Sequence, residues 1–344
     1  MADYLRWGII GCGVIGPFHA EAMQGVDSVR LTAVADIVPE RAKTLAEKYG
    51  VAWHTSIEAL LAREDIDAVS ICTPSGLHAE HGMQAARAGK HVLSEKPLDV
   101  RVEKVDELIA TCKACGVTLG GIFQNRFPHA IRQVKQAIED GWLGEIVFAG
   151  ASCLWLREQA YYDSGEWRGT WALDGGVLSN QGIHTIDRLL WLTGMQPTVL
   201  SAYCPTLKRA MEAEDLGMAL LRFPNGAGGV VQGTTLANPG LNTAVTICGT
   251  KGSVVIEDNN VTSFKADGAP EDLIESNKPG SSGAAADPAA LMVGAHAANI
   301  DEFARAVLEG RDPWVSGAEG RKAVQLLNDI YRTAQVGPWA AVTV

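Results

Sequence analysis

The first third of the chain alternates short apolar runs with segments whose apolar residues recur at helical spacing. Leu5-Arg6-Trp7-Gly8-Ile9-Ile10 and Leu31-Thr32-Ala33-Val34-Ala35 are strand-like, and Phe18 to Met23 between them has helical character. Helices are expected over 39–49, 57–62, 77–88 and 102–115, the last two closed by Gly89 and Gly116. Strands are expected at 68–72, 91–94 and 117–121. Strands taking turns with helices build a doubly wound parallel sheet of the α/β class.

After about residue 124 the rhythm changes. A helix over 130–139, closing near Gly141, precedes a strand that opens at 144–148. Further strand-like runs lie at 199–204, 218–223, 228–236, 244–248 and 253–257. Pro224-Asn225-Gly226 and Gly249-Thr250-Lys251-Gly252 read as hairpin turns between them. Consecutive strands at short spacing predict a large, mostly antiparallel open sheet, so this half is α+β. The expected domains are therefore 1–123 and 124–344. Ile300, Phe303, Ala304, Val307 and Leu308 form a helical stripe, as do Ala323, Leu326, Leu327 and Ile330, and Pro279 to Ala286 reads as a low-complexity loop.

One stretch organises the second half. Leu178, Ile183, Ile186, Leu189, Leu190 and Leu192 predict a single amphipathic helix that begins at Gly175-Gly176. On it Asn180, His184 and Asp187 fall at i, i+4 and i+7, on one face. A polar trio on an otherwise apolar helix is costly to bury unless paired. His184 reads either as a proton carrier, since imidazole titrates near neutrality, or as a hydrogen-bonded structural histidine.

Composition narrows the class. At 344 residues two cores are expected, and 47% hydrophobic with 20% charged residues is the balance of a globular chain. A formal charge of −11 argues against a nucleic-acid or anionic-membrane partner. No apolar run reaches membrane-spanning length and Met1 to Arg6 leads straight into a strand, so a cytoplasmic protein is expected. The seven cysteines are scattered and odd in number, which is no disulfide framework. Cys112-x-x-Cys115 sits late in a helix without a second pair; it reads as packing, and no metal is expected.

The candidate chemistry begins at Gly11-Cys12-Gly13-Val14-Ile15-Gly16, a G-x-G-x-x-G turn between a strand and a helix. Its glycines permit a tight turn and close approach of a pyrophosphate, and the helix start favours negative charge. Asp36, twenty positions after Gly16 at the end of the second strand, is placed to accept ribose hydroxyls and to repel a 2′-phosphate. NAD is thus expected rather than NADP, on a Rossmann domain. Other strand ends carry Thr73-Pro74, Glu95-Lys96-Pro97 and Gln124-Asn125-Arg126, where doubly wound sheets place ligands. Lys96 reads either as a donor to a developing alkoxide or as a surface lysine paired with Glu95; Pro97 keeps its backbone extended. Tyr161 to Trp171, with Trp167 and Arg168, reads either as a sugar-stacking and anion-binding loop or as a packed surface loop.

Together these residues resemble the Gfo/Idh/MocA oxidoreductase family, over essentially the whole chain. The motifs that carry the resemblance are Gly11-x-Gly13-x-x-Gly16, Thr73-Pro74-x-x-x-His78, Glu95-Lys96-Pro97 and Gly182-Ile183-His184-Thr185-Ile186-Asp187. The resemblance implies that Lys96 and His184 face the substrate beside the nicotinamide. It implies cofactor contacts from Gly11, Gly13, Val14, Ile15, Gly16, Asp36, Thr73, Pro74, His78, Glu95, Lys96 and Gln124. It also implies a homo-oligomer, dimer or tetramer, made through the second sheet. Many members carry aspartate four residues before the histidine, and this chain has Asn180. Asparagine there, with Gln124-Asn125-Arg126-Phe127 and Trp167-Arg168-Gly169-Thr170-Trp171, is similar to the branch acting at C3 of UDP-linked N-acetyl-amino sugars and their uronates.

The expected activity is NAD-dependent oxidation of a secondary hydroxyl on a sugar, cyclitol or nucleotide sugar. His184 takes the hydroxyl proton, Lys96 stabilises the oxygen, and Asn180 orients a neighbouring hydroxyl. Asp187 orients His184 or supports the helix, and Arg126, Arg157 and Arg168 are candidates for an anionic substrate group. Two other readings stand beside this one: a glycosidase acting through transient C3 oxidation, and a non-catalytic NAD- and sugar-binding regulator.

Overall fold

The first sheet follows from the alternation. Strands β1 (Leu5–Ile10), β2 (Val29–Ala35), β3 (Ala52–His54), β4 (Ala68–Ile71), β5 (His91–Ser94) and β6 (Leu119–Gly121) lie in the order β3-β2-β1-β4-β5-β6, all parallel. The computed structural model describes residues 3–270, 273–274 and 288–340, so the expected loop at 279–286 lies outside the described residues. Helix boundaries follow local chemistry. Pro39–Tyr49 opens on proline and ends where Gly50 turns left-handed, and Gly116 does the same after Val102–Ala114. Strand β3 was not expected: three edge residues, with Trp53 exposed between two half-buried neighbours, are too few for an alternation to register.

One layer of this unit comes from far along the chain. Ile300, Phe303 and Ala304 of the helix Pro288–Glu309 share a core with Trp7, Leu93 and Ile122. Phe303 meets Trp7 edge-on with ring centroids 5.8 Å apart. Gly120 leaves the space for it, since a Cβ there would lie 2.5 Å from Phe303 Cδ2. The chain thus forms two compact units, 1–124 with 287–321 and 125–286 with 322–344. The expected single boundary at 123/124 leaves out this return, because an apolar sheet face is covered by whichever apolar helix packs on it, near or far in sequence.

The second unit is built on β7 (Ile146–Leu154), β8 (Thr198–Tyr203), β9 (Leu216–Arg222), β10 (Gly228–Thr234), β11 (Ala244–Gly249), β12 (Gly252–Glu257) and β13 (Asn260–Ala266). Their order is β13-β12-β11-β7-β10-β9-β8, with β7 and β10 parallel and the other pairs antiparallel. Strand β13 was missed because its polar residues hide the pattern. Ala149, Ala151, Leu221, Val231, Val245 and Ile247 point inward and are buried. On the other face Phe148, Leu220 and the register partners Tyr203 and Met218 stay exposed. No helix among the described residues is long and apolar enough to cross a membrane.

Candidate active site

The glycine loop is shaped for phosphate. Gly11 has φ +99, and a Cβ on it would lie 2.5 Å from the Cys72 carbonyl oxygen; one on Gly16 would lie 2.2 Å from Gly11 O. Both must be glycine for the turn to close. Gly13 instead faces open space, and the following helix Gly16–Met23 is capped by Ile15, which offers no side-chain acceptor. Val14 is 72% exposed beside it. Asp36 accepts from the Cys12 N–H at 2.7 Å and from the Val38 N–H at 2.8 Å, which ties the glycine loop to the end of β2. Each carboxylate oxygen keeps a lone pair for a ribose hydroxyl. At the end of the unit Gln124 Oε1 is buried without a hydrogen-bond partner among the described residues. The residues present therefore fit a nicotinamide dinucleotide.

The ends of β4 and β5 are joined to each other. His78 is buried, with Nδ1 2.6 Å from the Pro97 carbonyl and Nε2 2.7 Å from the Thr73 carbonyl. Burial pulls its pKa down, and a neutral ring donates to one of the two at a time. It braces the Thr73-Pro74 and Lys96-Pro97 turns from within. Glu95 is likewise buried and turned inward, and its Oε2 accepts from the Lys96 backbone N–H at 3.1 Å. That corrects the expectation that Glu95 touches the cofactor or pairs as a surface group. From residue 92 to residue 100 only Lys96 is not buried.

In the second unit the central stretch differs from the single helix expected. It is two helices, Val177–Asn180 and Ile183–Thr193. The Gln181 and Gly182 N–H groups both donate to the Val177 carbonyl, which widens the turn and ends the first helix. Leu178 sits over Gly217 of β9 and Gly233 of β10, where side chains would collide with it. The i, i+4, i+7 face is thereby broken: from residue 174 to residue 190, only Asn180 and His184 are not buried.

Asp187 turns inward instead. It is 2% exposed and takes both Arg126 Nε (2.9 Å) and a terminal nitrogen of Arg126 (2.5 Å). Arg126, itself 4% exposed, lies over the Trp191 ring. This corrects one expectation: Arg126 is held by Asp187 inside the unit and is not available to a substrate anion.

The charge that Asn180 lacks stands six residues before it, in contact with its amide. Asn180 Nδ2 donates to Oδ1 of buried Asp174, and Gln181 Nε2 donates to Asn180 Oδ1 at 3.2 Å, so the amide is oriented. Beneath the same turn, Glu214 is fully buried. Its carbonyl accepts from the Val177 N–H at 2.9 Å, and its Oε1 accepts from Leu178 N–H (3.0 Å) and the Tyr331 hydroxyl (2.8 Å). Gly176 is required there, because a Cβ would lie 2.0 Å from Glu214 Oε2. Sequence reading passed over Asp174 and Glu214, since acids in loops carry no pattern.

Burial raises the Glu214 carboxyl from 4.5 to about 7. An acid raised in the folded state contributes stability that is complete below about pH 4.5 and is lost as the pH rises through about 7. Glu214→Gln keeps an acceptor and does not ionise. The variant is expected to gain about 3 kcal/mol on the wild type between pH 4.5 and 8. Urea midpoints at both ends of that range check it; a difference that does not change with pH shows that Glu214 does not titrate there.

The aromatic loop divides between its two readings. Tyr162 is buried and donates to Thr235 Oγ1 at 3.0 Å, which is packing. Tyr161 is flanked by Arg157 and Arg168, whose guanidinium carbons lie 5.4 and 4.2 Å from its ring centroid. Arg157 also lies over Trp155 and Arg168 over Trp167. Arg168 donates to the Tyr161 hydroxyl at 2.6 Å. Neither arginine is ion-paired with a carboxylate among the described residues.

Residues 5–122 match the oxidoreductase-family model for the NAD-binding Rossmann fold, and residues 131–255 match the GFO/IDH/MocA C-terminal domain. With the glycine loop and the strand-end residues, this defines an NAD-dependent dehydrogenase. The chain belongs to the Gfo/Idh/MocA oxidoreductase family. It is 31% identical over 265 residues to an inositol 2-dehydrogenase of Rhizobium meliloti, covering 76% of this chain and 78% of that protein. A myo-inositol 2-dehydrogenase of Thermotoga maritima is 27% identical, covering 94% of each chain. Among solved structures, the WlbA dehydrogenase of Bordetella pertussis in complex with NADH and UDP-GlcNAcA superposes with a TM-score of 0.86. It is 34% identical, over 96% of this chain and 97% of that one.

Proposed function

We infer that the protein oxidises the C3 hydroxyl of a UDP-linked N-acetyl-amino sugar or its uronate, with NAD as the acceptor. The observation that carries this reading is the pair Asn180 and His184, the two residues of an otherwise buried stretch that reach the surface. His184 accepts the hydroxyl proton as the carbon–oxygen double bond forms, and Lys96 donates a hydrogen bond to that oxygen. When bound, the nicotinamide supplies the acceptor for the hydride leaving the carbon. Asn180, oriented by Asp174 and Gln181, holds a neighbouring hydroxyl or amide.

Arg157 and Arg168 supply cationic forks for a diphosphate or carboxylate, and Tyr161 and Trp167 supply aromatic faces. Likeness to a dehydrogenase solved with UDP-GlcNAcA supports the nucleotide-sugar reading, whereas the inositol dehydrogenases point to a smaller substrate. The test is nicotinamide reduction, followed by absorbance, against free inositols, sugars, glycosides and UDP-sugars. Reduction with UDP-N-acetyl sugars or their uronates alone is the expected result. Reduction with inositols or glycosides instead would overturn the nucleotide-sugar assignment.

A further inference from the structure

Beneath the Lys96 turn runs a buried polar chain that the dehydrogenase reading does not use. Trp7 Nε1 donates to Ser70 Oγ at 3.0 Å, and Ser70 Oγ lies 2.9 Å from His19 Nδ1. His19 Nε2 lies 2.9 Å from Glu95 Oε1, and His296 Nε2 approaches the same oxygen at 3.6 Å. His19, Ser70, Glu95 and His296 are all at most 4% exposed. These donors converge on an oxygen-bearing side chain whose other oxygen, Oε2, receives the Lys96 N–H.

The protons of this chain have one consistent arrangement. Indole only donates, so Ser70 accepts from Trp7, and a carboxylate only accepts, so His19 carries its proton on Nε2. Burial pulls the His19 pKa down and keeps the ring neutral, which leaves Nδ1 to accept the Ser70 hydroxyl proton. Burial alone would push the Glu95 carboxyl up, but bonds from His19 and His296 hold it well below the usual carboxylate range. His19, Glu95 and His296 form the group of ligand-type side chains that converges among the described residues, within 4.8 Å.

We propose that Glu95, clamped between His19 and His296, is a positioning residue that fixes the backbone from which Lys96 projects. Glu95 reaches no surface itself, and it grips the peptide nitrogen of the one residue in 92–100 that does. A buried carboxylate held on both oxygens has little freedom, so the peptide bonded to it shares that rigidity. His296 arrives on Pro288–Glu309, the helix that returns to the first unit, so the clamp closes only when that helix docks. The proposal rests on Lys96 acting on the reacting oxygen, and its test separates the two claims.

Glu95→Gln, His296→Leu and His296→Gln are compared by turnover, by NADH affinity from fluorescence titration, and by the acetylation rate of Lys96 read by mass spectrometry without substrate. Glu95→Gln and His296→Leu are expected to lower kcat about 10- to 100-fold with substrate KM and NADH Kd within about threefold. In both, the Lys96 acetylation rate is expected to change by more than about threefold, and His296→Gln, which returns an N–H donor, is expected to restore both readouts. Folded variants with wild-type kcat and wild-type Lys96 acetylation would overturn the proposal. So would a loss of kcat matched by an equal loss of NADH affinity, since that marks a purely structural role. If Glu95→Gln does not fold, the two His296 variants decide it by the same criteria. If the wild type oxidises nothing on the panel, the functional reading fails, and Lys96 acetylation alone still decides the clamp.

Discussion

His184→Ala is expected to lower turnover by about 10²- to 10⁴-fold, the usual range for losing a positioned general base. NADH affinity is expected to stay within about twofold, because the glycine loop and Asp36 belong to the other compact unit and their bonds do not involve His184. The prediction draws its force from burial. The helix Ile183–Thr193 hides every residue through Leu190 except His184. His184 is half-buried with its Nδ1 inside, so the melting temperature of the variant is measured alongside to separate a loss of catalysis from a loss of stability. Steady-state kinetics with the substrate found on the panel, alongside a fluorescence titration of NADH, checks both parts. Turnover within about tenfold of wild type would remove His184 as the proton acceptor and pass that role to Lys96.

Arg126→Ala is expected to act on stability. It would leave the Asp187 carboxyl buried at 2% exposure with its guanidinium partner gone. Removing one member of such a pair costs about 3–5 kcal/mol, because the remaining charge stays desolvated without its counter-charge. Replacing both, as Arg126→Met with Asp187→Leu, removes the charge along with its partner and is expected to recover most of that loss. Urea unfolding of the single and double variants gives the comparison. A loss below about 1 kcal/mol for Arg126→Ala would mean that water reaches Asp187, and it would reopen Arg126 as a substrate contact.

Much of the first unit was legible in the sequence because its signals are local. Apolar runs of strand length, glycines that close helices, and the turn from Gly11 to Gly16 all act within a few residues, and the structure places elements where those signals put them. Asp36 was found by its distance from that turn and does bind the loop. The hairpin turn at Pro224-Asn225-Gly226 was found likewise, and Gly226 has the positive φ that such a turn needs. In the second unit the glycine pair before the central stretch was correctly singled out, although its reason was not. Gly176 is small because Glu214 lies against it, thirty-eight residues away in the chain.

What the sequence determined by itself is which side chains are candidates for chemistry: Lys96 and His184 were singled out by type, position at an element's end and the motifs that resemble the family's. Tertiary structure decided which of their neighbours are spent inside the protein. Arg126, chosen as a free cation, is consumed by Asp187, sixty-one residues on. Glu95, chosen as a cofactor contact, is turned inward by His19 and His296. The expected single helix is two, because Leu178 seats on glycines of β9 and β10 and the turn after it widens. Periodicity reports the face a residue occupies on its own element. Whether a polar group there meets water or a partner depends on what the rest of the chain folds against that face, and a charge is held inside only when its counterpart arrives.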